Sequence, residues 1–581
     1  MLAITLMTGC VTTRQGYNVS PTSQVKNGQL LAAKTTFRLR YSDSGKDRLL
    51  HHLELGTINH LMGNYTQSNI HFSAAEQLSE EFYTTSISEK AAELLTGPQY
   101  TTYKGFVFEN TFINYFKALN YLKKGQEDHK LSPTEIDAAL VEIRRLGLRL
   151  SELTRQTGGY AQTNNTDKKQ STASEIYNLF KRAFGNSTAG LELEYKDDAF
   201  AHYLSGLLYE TNRDFDSARI EYKKAATAYE NGFAKQYQLN NKVVQQAWFD
   251  TIKVMLKDGG YQQEAKRLIN QKLNQQQAQK VVKASQQAEL VIIQHVGTVP
   301  ERQRINILLT LDKRAKSLVL SPILSGPFAQ RREKAYWFQM LYADNQLFDI
   351  IKNYIAGDIP AAVMGTQQKR IPLGGDLWNL AEDIGMLDAL NTPITVSVPY
   401  YPAIKPSLSG SSVYINGKKY AELETVESLS LIALQEQIRS ANEFIYASLT
   451  REIVKAIFAH KALKETGLLD KGIWGDIAKG ATALVNILTA QADTRNWLTL
   501  PESIKLARFN LPVGEHKVSL MSKTSDGKNI NQTYTVKVAA DQPYILQTKT
   551  YAEQANTVNK PTNLVNSSAK PTHVSQISSI E

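Results

Sequence analysis

The sequence predicts an α+β multidomain protein, with N-terminal helical repeats followed by a C-terminal α+β domain that carries a small antiparallel sheet. Three observations predict this. From about residue 46 to 288, apolar residues recur at a helical period, and small residues recur among them at matched spacings. At Leu290-Val291-Ile292-Ile293 the pattern changes to a β-branched run of the kind found in buried strands. Further on, Asn416-Gly417 separates two short strand-like runs, the standard signal of a two-residue hairpin.

The chain has 581 residues, enough for two to four domains with real cores. Hydrophobic residues make up 42% of it, which fits a globular chain. No run of eighteen apolar residues is present, so no segment reads as a membrane-spanning helix. The nearest candidate, Ile473 to Ala492, carries Asp476 and Lys479 and reads as amphipathic or buried. The 66 Lys and Arg against 56 Asp and Glu give a net charge of +10. These charges are spread along the chain, and no module interleaves basic and aromatic residues as nucleic-acid binders do. A mildly biased solvated surface explains them. An anionic leaflet or cell-wall polymer is a better partner for the excess than DNA.

The single cysteine, Cys10, ends the run Leu6-Met7-Thr8-Gly9-Cys10 and rules out an internal disulfide. The run resembles the site cleaved by bacterial lipoprotein signal peptidase. That resemblance makes residues 1–9 the remnant of a signal peptide and Cys10 the lipidated first residue of the mature chain. Met7 stands where Leu is usual, and residues 1–9 lack a basic region and a full apolar core, so a start upstream is expected. Each buried CH₂ of an acyl chain contributes roughly 0.8 kcal/mol, and several chains hold stably. Val11 follows the cysteine, not Asp, which by analogy with enteric sorting points to the outer membrane. Residues 10–45, rich in Ser, Thr, Asn and Gln, read as the tether.

The helical region, 46–288, holds two stretches in register. Gly56, Ser68 and Ala75 repeat the spacing of Gly206, Ala218 and Ala225, with Tyr65 and Phe72 matching Phe215 and Tyr222. Antiparallel helices approach closely only where small side chains face each other, and the aromatics fill the remaining gaps. This is the logic of a tetratricopeptide hairpin. A weaker third stretch includes Gly260-Tyr261 and Ala265. Phe112 to Leu122 and Ile136 to Leu150 read as further helices, Gln156 to Thr172 as a loop, and Gln262 to Ala288 as one long exposed helix. The second region, 289–550, is expected to contain a helical insert near 305–390. Within it, Gly374-Gly375-Asp376 is a turn into a helix, with Asp376 as N-cap. Strands are expected at 394–398, 413–415, 420–423, 504–509, 516–521, 534–538 and 544–548, and helices at 427–447, 450–466 and 473–492. Residues 551–581 are polar and poor in aromatics, hence a disordered tail.

Four runs carry a family resemblance: Tyr115 to Leu122, Ala139 to Arg145, Ala492 to Pro501 and Leu511 to His516. Together they resemble an uncharacterised bacterial outer-membrane lipoprotein family with tetratricopeptide-like repeats, over roughly 50–300 and 390–550. Members are often encoded beside lipoproteins of the curli-secretion type or the penicillin-binding-protein-activator type. The resemblance therefore implies an envelope partner. It implies no catalytic residues.

No phosphate-binding Gly-x-x-x-x-Gly-Lys-Ser/Thr loop, no His-Glu-x-x-His helix and no Gly-x-Ser-x-Gly elbow is present. A lipidated Cys10 cannot be a nucleophile. His51 and His52 are adjacent, so a helix points them about 100° apart, which is poor for joint ligation. His60 and His71 could approach across the first hairpin, but ordinary polar positions explain these histidines better. Asp493-Thr494-Arg495-Asn496-Trp497 has two readings. In one, Arg495 and Trp497 grip an anionic or sugar ligand. In the preferred one the run is a structural corner, with Asp493 pairing with Arg495 or capping backbone amides and Trp497 plugging the junction of helices and sheet. The functional expectation is a non-enzymatic scaffold without cofactor or metal, on the periplasmic face of the outer membrane, recruiting another envelope protein. The alternative is a peptidoglycan- or glycan-binding or hydrolysing protein acting through its C-terminal domain.

Overall fold

The computed structural model describes residues 20–83, 101–126, 132–157, 172–184, 197–284, 287–342, 354, 367–465, 491–540 and 542–556. Cys10, most of the helix expected over 473–492, and residues 557–581 lie outside the described residues, while the start of the expected disordered tail is ordered, with Tyr551 buried in the core and a short helical turn over Ala552–Asn556.

The chain opens with α1 (Pro21–Lys26) and α2 (Leu30–Arg40). This corrects the expected tether over its described part, residues 20–45; residues 10–19 lie outside the described residues. Ala33 and Phe37 lie one turn apart on α2, and with Val25 and Tyr41 they are buried in the main core. The polar composition hid that narrow apolar stripe.

Next comes a hairpin of α3 (Arg48–Leu61) and α4 (Tyr65–Tyr83), followed by α5 (Val107–Gly125), α6 (Pro133–Thr157) and α7 (Thr172–Phe184). A second hairpin pairs α8 (Ala199–Thr211) with α9 (Phe215–Ala228). The two hairpins correspond residue by residue at a constant offset. Gly63 and Arg213 both take the left-handed conformation, at φ 80° and 62°. Asn64 N–H donates to Asn59 O at 2.8 Å, and Asp214 N–H donates to Tyr209 O at 2.9 Å. Gly56 lies under the Phe72 ring and Gly206 under the Tyr222 ring, where an added Cβ would come within 2.7 Å of ring carbons in both cases.

The helical region ends in α10 (Lys242–Asp258), α11 (Gln262–Lys272) and α12 (Gln275–Ala284). The single long helix expected over 262–288 is therefore two helices, separated at Leu273-Asn274. In the weak third repeat, Ala265 is fully buried, but no aromatic ring lies against Gly259 or Gly260.

Among the described residues, the remaining chain builds three four-stranded sheets rather than one small sheet. The strands are β1 (Glu289–Val296), β2 (Gln303–Asp312), β3 (Ser317–Ile323), β4 (Lys369–Pro372), β5 (Ile394–Tyr400), β6 (Leu408–Ile415), β7 (Lys418–Glu422) and β8 (Glu424–Glu427). After two intervening helices, β9 (Ser503–Asn510), β10 (Gly514–Thr524), β11 (Asn529–Val538) and β12 (Pro543–Thr550) complete them. The first sheet runs β12-β1-β9-β8, with β1 and β12 parallel. The second runs β11-β10-β6-β7 and the third β4-β3-β2-β5, and both are antiparallel. Asn416 and Gly417 join β6 to β7 with φ of 48° and 84°, the pair of positive values a type I′ turn needs.

The third sheet corrects the helical insert near 305–390. Ile305, Ile307 and Leu309 alternate inward along β2 and are fully buried. Helices do flank this sheet: α13 (Phe328–Tyr342), α14 (Asp376–Asp383) and α15 (Met386–Ala389). Gly375, with φ 51°, is the N-cap of α14, so Asp376 is its first helical residue rather than the cap. Two more helices, α16 (Leu429–Arg439) and α17 (Ala441–Glu465), precede β9.

Strand β1 is an inner strand of the first sheet and is buried along its whole length. Val291 and Ile293 face the core shared with the helices, while Leu290 and Ile292 face a smaller core between the first and second sheets. A strand covered on both faces needs a continuous apolar run rather than alternation. The main core runs from Val25 to Tyr551, so residues 46–288 and 289–550 share one hydrophobic interior.

Candidate functional site

The segment 491–500 threads between the first hairpin and the first sheet. Trp497 is 0% exposed. Its ring lies 5.8 Å from both Phe72 and Phe116. Its indole N–H donates to Thr57 Oγ1 at 2.9 Å and to Thr499 Oγ1 at 3.1 Å. Backbone N–H groups of this segment would be orphaned so deep in a core, and carboxylates from two helices satisfy them. Trp497 N–H donates to Glu109 at 2.8 Å, and Leu498 N–H donates to Glu54 at 2.7 Å. Burial pushes the Glu54 carboxyl up to about 8 and that of Glu109 up to about 7, against the pull of these donors. Arg495 pairs with Asp493 at 2.7 Å and with Asp47 at 2.9 Å. Arg495 and Trp497 are thus packed and paired inside the fold. This is the structural-corner arrangement expected of the run, and neither side chain is open to grip a ligand.

A second buried polar cluster ties the second hairpin to the sheet. Arg508 on β9 has a side chain only 1% exposed. It reaches Glu210 at 2.5 Å and Glu289 at 2.6 Å, and lies 3.4 Å from Asp250. Lys253 is wholly buried and bonds Glu289 at 2.7 Å and Glu210 at 3.1 Å, while Lys257 meets Glu210 at 3.0 Å. Three cations thus face three carboxylates. Burial raises the Glu210 carboxyl, but Arg508, Lys253 and Lys257 outweigh it and hold the group well below its ordinary value. Tyr222 belongs to this cluster. Its hydroxyl donates to Glu210 at 2.9 Å and accepts from Arg508 at 2.8 Å. No short sequence motif marks this network, because its members lie far apart along the chain.

The remaining repeat positions are packing residues. Ser68 Oγ donates to Gly56 O at 2.7 Å, and Ala75, Ala218 and Ala225 are fully buried. Tyr65 and Phe215 begin the second helices of their hairpins and are half-buried. The outer face of α9 borders an open groove of about 630 Å³, lined by Asp197, Arg219, Ile220, Lys223, Lys224 and Asn231 among others. Its cations are held by acidic neighbours, Lys223 by Glu264 and Lys224 by Glu221.

The histidines depart from expectation. His60 does not meet His71. It hydrogen-bonds Asn120 at 2.6 Å and packs against Phe116 and His295, and burial lowers it to about 4. His51, His52 and His71 converge instead. The Gly56–Phe72 contact sets the hairpin register and brings His52, one turn before Gly56, beside His71. That signal was readable once the hairpin was recognised. Burial, then His52 and His51, push His71 down to about 4, while burial and then His51 lower His52.

Comparison with protein-family models, with curated proteins and with solved structures finds no match.

Proposed function

We propose that the protein is a lipid-anchored scaffold on the periplasmic face of the bacterial outer membrane, acting by binding rather than by catalysis. In this reading the two matched hairpins are tetratricopeptide-like. They recruit another envelope protein, a curli-secretion-type or penicillin-binding-protein-activator-type lipoprotein. The observation that carries the reading is the residue-by-residue match of the hairpins, with the same left-handed turn position and the same glycine-on-ring contact. Repeated hairpins of this kind present extended surfaces to partners. The groove beside α9 is where we place the partner, with Lys223 and Lys224 exchanging their present carboxylates for those of the partner. The run Leu6 to Cys10 supports the anchor. Among the described residues, no helix is long and apolar enough to cross a membrane.

Two measurements test this. In cells that export the chain, Cys10→Ala should move it from the membrane pellet to the soluble fraction, and the wild-type protein should yield an acyl-modified Cys10 peptide by mass spectrometry. An unchanged distribution without that peptide removes the anchor. In affinity purification from solubilised envelopes, the double charge reversal Lys223→Glu, Lys224→Glu should lose a specific co-eluting envelope protein. Identical co-elution from both forms removes the groove from the reading.

A further inference from the structure

Two histidines of α3 and one of α4 face each other near the start of the first hairpin. Their ring centroids lie 5.1 Å (His51–His52), 5.4 Å (His52–His71) and 6.1 Å (His51–His71) apart. One nitrogen from each ring falls within 4.8 Å of the other two. We propose that His51, His52 and His71 form a binding site for one late first-row divalent cation, with Zn²⁺ the best fit.

The geometry argues this in three steps. First, His52 Nδ1 and His71 Nδ1 stand 3.2 Å apart. Two nitrogens bound to one tetrahedral Zn²⁺ at about 2.0–2.1 Å sit roughly 3.3 Å from each other, so this pair already has the spacing of two ligands. At that separation at least one ring presents a lone pair, which is the form that binds metal. Second, His51 Nδ1 lies 2.9 Å from the carbonyl oxygen of Tyr41. The ring donates there, which leaves Nε2 as its free lone pair. A backbone carbonyl on the far nitrogen is the usual device for fixing the tautomer and orientation of a metal-ligating histidine. Third, the remaining gap is small. The widest nitrogen separation must close by at most about 1.5 Å to reach tetrahedral spacing, within reach of a ring rotation at the partly exposed His52 or His71.

The ligand set selects the class of ion. Imidazole nitrogens suit Zn²⁺, Cu²⁺ and Ni²⁺ and do not suit the hard ions Mg²⁺ and Ca²⁺. Three protein ligands leave the fourth position to water. Asp43 is the acidic group acting on His52, while Lys34 and Arg38 act on His71 from α2. Lys34 is directed to Asn59 Oδ1 at 2.9 Å. A bound ion would bridge α3 to α4 and, through the Tyr41 carbonyl, brace the end of α2. This site is independent of the scaffold reading.

The test uses the full chain stripped with chelator and titrated with Zn²⁺ and Co²⁺ alone. The expected result is one Zn²⁺ per chain, a rise in the unfolding midpoint on adding Zn²⁺, and visible Co²⁺ absorption of the tetrahedral type. His71→Ala and His52→Ala should each weaken Zn²⁺ binding at least about tenfold. His460→Ala, on the distant α17, should leave binding unchanged and controls for adventitious surface binding. Absence of stoichiometric Zn²⁺ binding, or equal binding by wild type and both hairpin variants, overturns the proposal. Should those variants fold poorly, the Co²⁺ spectrum of the wild-type chain decides, and an octahedral, weakly absorbing spectrum overturns it.

Discussion

Substituting Gly206 by alanine tests whether the hairpins owe their close approach to missing side chains. An ideal Cβ at Gly206 lies 2.7 Å from Tyr222 Cδ1, 2.8 Å from Cγ and 3.0 Å from Cε1. Carbon atoms pack comfortably at about 3.5–4.0 Å, so the ring would have to withdraw by close to 1 Å. It is poorly placed to do so. Its hydroxyl is held by Glu210 at 2.9 Å and Arg508 at 2.8 Å, and Tyr203 packs edge-on at 5.1 Å. Overpacking of this kind costs about 1–3 kcal/mol. Replacing glycine within a helix returns up to about 1 kcal/mol. With the full return, the net expectation is a loss of about 0–2 kcal/mol. Gly147 is the control, a helical glycine of α6 with no atom within 4 Å of its ideal Cβ. Gly147→Ala should raise stability by up to about 1 kcal/mol, since only the propensity gain applies. Gly56→Ala should resemble Gly206→Ala, because its Cβ meets Phe72 at 2.7–2.9 Å. Phe72 carries no hydroxyl tether and stacks on Phe116 at 5.5 Å. Gly56→Ala should therefore cost less in a Phe72→Leu background than alone, a favourable coupling in a double-mutant cycle. The assay is denaturant unfolding followed by far-ultraviolet circular dichroism. If Gly206→Ala stabilises as Gly147→Ala does, the helices do not need the glycine, and the shared contact is not what defines the hairpins.

Three further outcomes follow from the buried polar groups. Trp497→Ala should lose about 3–5 kcal/mol, the range for emptying a fully buried aromatic site, while Trp497→Phe should lose less; a Trp497→Ala protein of unchanged stability would restore the ligand reading of that residue. Arg508→Met should cost about 3–5 kcal/mol, because Glu210 and Glu289 are left buried beside fewer cations, and a neutral result in equilibrium unfolding would show that Lys253 and Lys257 suffice. His202 bonds Glu221 at 2.6 Å and Asp197 at 2.9 Å. Burial lowers it, but these carboxylates outweigh burial and raise it to about 9 from an ordinary 6.5. A raised histidine stabilises fully below the unfolded value and loses that contribution as pH rises through the folded one. The stability gap between wild type and His202→Gln should thus be about 2 kcal/mol near pH 6, allowing for the solvent around Asp197, and close between pH 6.5 and 9; parallel pH profiles of the two proteins would refute it.

Local pattern alone determined a good part of this protein. The spacing of Gly56, Ser68, Phe72 and Ala75 against Gly206, Ala218, Tyr222 and Ala225 placed two matching hairpins, because helix contact depends on side-chain size at fixed periods. Asn416-Gly417 placed a turn, because both residues tolerate positive φ. The burial of Trp497 was legible from the short connection between Ala492 and the strand at Ile504. Other features were in the sequence but obscured. The stripe through Ala33, Phe37 and Tyr41 is masked by polar neighbours, and the alternation at Ile305, Ile307 and Leu309 reads equally as part of a helical insert, since short apolar runs fit either period. Tertiary structure alone decided what depends on distant segments. Glu210, Asp250, Lys253, Glu289 and Arg508 carry no mark of partnership until two helices and two strands meet around them. Whether Arg495 binds a ligand or pairs with Asp47 depends on a residue more than four hundred positions away. His51, His52 and His71 become a cluster only when the hairpin closes in one register. Periodicity is a property of neighbours along the chain, whereas charge pairing and ligand geometry are properties of neighbours in space.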